Sequence, residues 1–132
     1  MKTILIAYKR ENSYINELML SLEQQGYSLI IVDNSEELLT IIRNNARLAS
    51  VLFTYDIFNE GLTDKIIELN ETLPVFLLKD TNDCNANVDY HKIGNHAQFI
   101  DCNLYTQTEV ISKIQKAIRQ YIQCIIPPLT KA

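Results

Sequence analysis

The chain holds 132 residues, 47% of them hydrophobic and 21% charged, with a formal net charge of -4. That is the length of one domain with apolar content for one core, which excludes a disordered chain and argues against two domains. Its 12 lysines and arginines stand singly or in pairs, Lys9-Arg10 being the densest, so no basic stripe exists to neutralise a row of phosphates and nucleic acid is not an expected partner.

At the amino terminus, MKTILIAYKR has only six residues between Lys2 and Lys9. This run is too short for the apolar region of a signal peptide or for a membrane span, which predicts a cytoplasmic protein with no membrane partner. Within it, TILIAY (3–8) shows no alternation of apolar and polar residues and predicts a central strand covered on both faces. In NSYINELMLSLEQQG (12–26), Ile15, Leu18, Met19 and Leu22 recur at helical spacing behind Asn12 or Ser13 as cap, and Gly26 supplies a left-handed stop.

The pattern then repeats. YSLIIVD (27–33) reads as a second strand, and NSEELLTIIRNNA (34–46) as a helix with Asn34 and Glu37 at capping-box spacing and Leu38, Ile41 and Ile42 inward. SVLFTYD (50–56) predicts a third strand and TDKIIELNETL (63–73) a shorter helix through Ile66, Ile67 and Leu69. Pro74 opens a fourth strand, PVFLLKD (74–80), at a position where proline is tolerated. Residues 80–97, rich in Asn and Asp, predict a short, irregular or absent fourth helix. QFIDCN (98–103) is a fifth strand. TQTEVISKIQKAIRQYIQCII (106–126) is the strongest helix, with Thr106 and Glu109 as a capping box and Val110, Ile114, Ile118, Tyr121, Ile122 and Ile125 along one face.

Strands alternating with helices over so short a chain predict an α/β fold: a doubly wound, five-stranded parallel sheet of flavodoxin-like order 2-1-3-4-5 between two helical layers. Ligands of such folds sit beyond the carboxyl ends of the strands, and there the expected chemistry is missing. The turn after the first strand, YKRENS, has no glycine, and Gly26, Gly61 and Gly94 are isolated, so no phosphate-cradling loop is present. VLFTYDIFNEG (51–61) puts Asp56 just past the third strand and resembles the phosphorylation segment of two-component receivers. Aspartyl phosphorylation needs Mg²⁺ held by further carboxylates. That family draws them from an acidic pair after its first strand, where this chain has Tyr8, Lys9 and Arg10, and it places a lysine after the fifth strand, where this chain reads Asp101-Cys102-Asn103. Asp56 is therefore expected to be a loop or capping carboxylate.

Cys84, Cys102 and Cys124, spaced 18 and 22 apart, fit neither a disulfide framework nor a zinc motif, and are expected to be free thiols. His91 and His96 read as surface residues. Asp101 beside Cys102 is expected to disfavour a thiolate there, Cys124 follows the inward helical face, and no G-x-S-x-G elbow occurs. The seven tyrosines, Tyr8, Tyr14, Tyr27, Tyr55, Tyr90, Tyr105 and Tyr121, are spread along the chain as rim and core residues. No catalytic, cofactor-binding or metal-binding residue is predicted.

NNARLASVLFTYDIFN (44–59), ELNETLPVF (68–76) and above all YIQCIIPPLTKA (121–132) resemble the amino-terminal domain of bacterial ornithine/lysine/arginine decarboxylases, lysine branch, over essentially the whole chain. The resemblance implies a flavodoxin-like wing over residues 1–126, with 127–132 beginning a linker to an absent catalytic domain. In that family pyridoxal phosphate serves to remove the carboxylate of a basic amino acid, consuming a proton and aiding acid resistance. The Schiff-base lysine lies in the following domain, and none of Lys2, Lys9, Lys65, Lys79, Lys92, Lys113, Lys116 or Lys131 matches it. The resemblance also implies partners: the chain's own catalytic domain and neighbouring subunits, since wings pack between dimers in decameric rings. Some members bind guanosine tetraphosphate through arginine near this domain. Here DYHKIGNHAQ (89–98) has none, and His91, Lys92 and His96 replace it only weakly, so the resemblance by itself does not imply alarmone binding.

Candidate contact surfaces are 80–97 and the loop Tyr55 to Asn59, where Tyr55, Ile57 and Phe58 either present apolar area or cap the core. Three functions follow: an assembly wing, a degenerate receiver-like signalling module, and a flavodoxin-type redox carrier. The isolated chain is colourless and inactive under the first, takes phosphate from acetyl phosphate under the second, and copurifies yellow under the third.

Overall fold

Five apolar runs form the sheet. In the computed structural model, which describes residues 2–11, 13–44, 47–57, 61–70, 72–79, 97–102 and 104–125, they are β1 (Thr3–Ala7), β2 (Ser28–Val32), β3 (Leu48–Thr54), β4 (Val75–Lys79) and β5 (Ala97–Asp101). All neighbours are parallel and the order is β2-β1-β3-β4-β5, as the alternation predicts. The helices are α1 (Ser13–Gln24), α2 (Ser35–Asn44), α3 (Leu62–Leu69) and α4 (Gln107–Ile125). Residues 80–96, and with them the expectation for a fourth connecting helix, lie outside the described residues.

Because successive side chains of a strand point to opposite faces, each central strand feeds two cores. Leu5, Val51, Phe53 and Leu77 join Leu38 and Ile42 of α2 and Leu62 and Ile66 of α3 on one face. Ile4, Ile6, Leu52 and Phe76 join Ile15, Leu18 and Leu22 of α1 and Val110, Ile114 and Ile118 of α4 on the other. Phe53 and Phe76, both fully buried, anchor the two sides, each side chain contributing about 1.5–3 kcal/mol by leaving water. β1 is the covered central strand that its unbroken apolar run predicts, with Ile4 to Ala7 all buried.

Local signals set the helix ends. At the close of α1, Tyr27 N–H donates to Leu22 O at 3.2 Å and Gly26 N–H to Glu23 O at 3.0 Å, with Gly26 at φ 95. This is the Schellman pairing that a left-handed glycine permits. Glu37 N–H donates to Asn34 Oδ1 at 2.8 Å, capping α2. The Thr106/Glu109 box closes in both directions: Thr106 N–H donates to Glu109 Oε1 at 3.0 Å and Glu109 N–H to Thr106 Oγ1 at 3.2 Å.

α3 is shorter than the run 63–73 predicts. It ends at Leu69 because Asn70 takes an extended backbone, and its Oδ1 accepts from Thr72 N–H and Oγ1 at 3.3 and 3.2 Å, so an Asn side chain starts a turn where helix was expected. The Asn70 amide also donates to Tyr121 Oη at 3.3 Å, joining the end of α4 to this turn.

Candidate functional site

The carboxyl rim of the sheet is where a doubly wound fold binds ligands, above all at the switch point between β1 and β3. β1 delivers Tyr8, Lys9 and Arg10 to this rim, β3 delivers Thr54 and Asp56, β4 ends in Lys79 and β5 in Asp101.

At the switch point the chain bonds to itself. Asp56 Oδ2 accepts from Arg10 N–H at 3.1 Å, and Oδ1 accepts from the Thr54 hydroxyl. Both carboxylate oxygens therefore hold protein donors, and the Arg10–Asp56 bond bridges the loops after β1 and β3. Asp56 is a loop-tying carboxylate, as the missing acidic pair implies. On the far side, Lys79 Nζ lies 4.0 Å from Asp101 Oδ2, with side chains 16% and 22% exposed. The charge that could neutralise an anion is thus offset by a neighbouring carboxylate.

A hollow of about 430 Å³ opens beside β1 and β2, off the switch point, among Tyr8, Lys9, Glu11, Asp33 and Glu37. Its volume falls in the range of small-ligand sites, but three carboxylates around one ammonium repel phosphates, and Asp33 already accepts from Asn34 Nδ2 at 2.9 Å. Among the described residues no three His, Cys, Asp or Glu side chains converge as a metal site would require, and no helix is long and apolar enough to cross a membrane.

Cys102 is half-buried, and its backbone N–H donates to Lys79 O at 2.8 Å. Cys84, His91, His96, Lys92, Lys131 and the Cys124 side chain lie outside the described residues. The described tyrosines divide between the two cores, Tyr55 and Tyr121 with one and Tyr8, Tyr14, Tyr27 and Tyr105 with the other, so they form no stacking platform. Ile57 is buried in the α2/α3 core, which decides for capping over contact at that position. Phe58, Asn59 and residues 80–96 of the candidate contact surfaces lie outside the described residues.

The described residues do not fit pyridoxal phosphate. A Schiff base needs a lysine amine free in an enclosed pocket with a phosphate cradle beside it; Lys79 faces Asp101, and the positive-φ glycines Gly26 and Gly61 serve helix ends.

Sequence reasoning did not find the Lys79–Asp101 pair, nor the exposed Leu20 and Ile31 beside β2. Both were reachable from the strand order, which sets the ends of β4 and β5 side by side and leaves β2 outermost.

The profile of the family described as "Orn/Lys/Arg decarboxylase, N-terminal domain" matches residues 10–121. A lysine decarboxylase of Hafnia alvei is 34% identical over 128 residues, which is 97% of this chain and 17% of the relative, so the chain spans about a sixth of that protein. The crystal structure of the Francisella novicida lysine decarboxylase superposes with a TM-score of 0.77 at 25% identity, covering 97% of this chain and 18% of that one. A receiver domain from Clostridium thermocellum superposes at 0.73 with 17% identity over 96% of this chain and all of its own, a likeness of fold alone. The fold and these matches agree: the chain belongs to the family of Orn/Lys/Arg decarboxylase N-terminal domains.

Proposed function

We propose that this chain is the non-catalytic N-terminal assembly and regulatory domain of a larger, pyridoxal-phosphate-dependent basic amino-acid decarboxylase, with lysine as the parent's substrate. Residues 1–126 are the wing and 127–132 the start of the connection to the catalytic domain. The parent removes the substrate carboxylate with consumption of a proton, in the cytoplasm, as an acid-resistance reaction. The wing's partners are its own catalytic domain and neighbouring subunits.

One observation carries this reading: nearly the whole chain aligns with only 17% of a lysine decarboxylase. The rim supports it, because Asp56 and Lys79 spend their hydrogen-bonding and charge on other parts of the chain. A domain whose described rim residues are tied to one another still contributes through surface complementarity repeated by symmetry.

The test is to express the open reading frame that carries this chain, with and without residues 1–126, and to measure carbon dioxide release from lysine, ornithine and arginine together with sedimentation. Removal of the wing leaves turnover per active site within a few-fold and reduces the size of the assembly, and the isolated chain is colourless and inactive. Decarboxylation by the isolated chain, or its stoichiometric capture of flavin or of phosphoryl from acetyl phosphate, overturns the proposal.

A further inference from the structure

Exposed sheet edges are ordinarily blunted by charge, proline or a bulge. β2, outermost on its side of the sheet, reads SLIIV, without charge or proline, and its register with β1 runs without a shift. Ser28 N–H donates to Lys2 O at 2.9 Å and Tyr8 N–H to Val32 O at 3.2 Å, so the even-numbered residues bond to β1. Alternation along the ladder turns the N–H and C=O groups of Leu29 and Ile31 outward. An apolar patch flanks them. Leu20 is 59% and Ile31 52% exposed, two of the three large exposed hydrophobics among the described residues. A hollow between α1 and β2 joins them to Met19 and Leu29, with Asn16 and Glu23 at its margin.

We propose that this edge is a self-association surface, on which a second copy of the chain seats antiparallel about a two-fold axis at Ile30, Leu29 lying opposite the second copy's Ile31. Symmetry selects this arrangement. A parallel ladder sets the outward residues of one strand level with the inward residues of the other, an offset that a two-fold axis between identical edges forbids; in the antiparallel ladder, outward residues meet outward residues and exchange both bonds.

Charge selects the same occupant. Lys2 is exposed at the amino end of β2, beside Gln25, Gly26 and Tyr27. At the carboxyl end, Asp33, Glu36 and Glu37 are exposed and outnumber Lys9. Exposed Glu23 in the last turn of α1 lies at the amino end too, so that end is balanced while the carboxyl end is acidic; a reversed copy sets Lys2 against Asp33 at both margins, whereas a copy in the same direction sets the two acidic ends together. On the α1 side the same reversal sets Glu23 against Asn16 rather than against a second Glu23.

This inference goes beyond the proposed role and is drawn from the edge alone. Sedimentation equilibrium of the chain, from micromolar toward millimolar concentration, tests it. The wild type shows a monomer–dimer equilibrium. Ile31→Lys keeps the circular dichroism spectrum and urea midpoint but weakens the dimer at least about tenfold, since natural edges use lysine to block pairing. Lys2→Glu weakens it several-fold and Lys2→Glu with Asp33→Lys restores it, because that pair meets at both margins. A chain that stays monomeric throughout, a dimer indifferent to Ile31→Lys, or failure of the charge swap to restore association overturns the proposal, and each leaves family membership and assembly through other faces standing.

Discussion

The last five residues of β3, SVLFT, and the whole of β2, SLIIV, are alike in sequence and end in different surroundings. All seven residues of β3 are buried, while β2 has one buried residue, Val32, and exposes Ile31. Even their serines differ. Ser50 is fully buried and its hydroxyl donates to Pro74 O at 3.1 Å, whereas Ser28 is half-exposed. Apolar content makes a strand, but a neighbour on each side and a helix on each face make a core strand.

The comparison breaks first at Phe53. Phe53→Ala empties a fully enclosed site and costs about 3–5 kcal/mol in urea unfolding, while Ile31→Ala stays within about 0.5 kcal/mol. Equal losses from the two would mean that β2 is as enclosed as β3. Next is the turn that launches β2. Gly26→Ala forces a Cβ into the left-handed region at φ 95 with open space around it, so the loss of about 1–2 kcal/mol comes from backbone strain alone. Unfolding with the m-value unchanged checks it.

A smaller effect belongs to α4, which covers one face of the central strands. Thr106→Ala removes the cap to Glu109 N–H and lowers stability by about 1 kcal/mol, and Thr106→Ser recovers most of it. The smallest is a pH dependence. Glu109 is held below its ordinary value of 4.5 by the Thr106 backbone N–H and then by the Thr106 hydroxyl. A depressed carboxyl contributes stability that is full above its unfolded value and is lost as pH falls through its folded one. Wild type and Glu109→Gln therefore differ at pH 7 and converge below pH 4.5, read as the gap between their urea midpoints. A gap that widens on acidification contradicts the capping geometry.

The fold was legible because its signals are local. The cap at Asn34, the stop at Gly26 and the Thr106/Glu109 box each act within a few residues, and each appears where expected. α3 ends earlier than its apolar spacing predicts because Asn70, directly after Leu69, is a local stop that the run of Ile66, Ile67 and Leu69 outweighs in the sequence pattern; its bonds to Thr72 and Tyr121 make the turn. At the rim, the missing glycine turn and acidic pair were readable as residue types, while the Arg10–Asp56 and Lys79–Asp101 contacts join residues far apart in the chain.

What the amino-acid order determined by itself was the alternation of strand and helix, and through it a parallel sheet, because periodicity and capping depend on neighbours in the chain. What the rim carboxylates hold, and whether Ile57 faces partner or core, were decided only in three dimensions. Burial and charge pairing depend on residues brought near by the fold, and no local pattern encodes that distance.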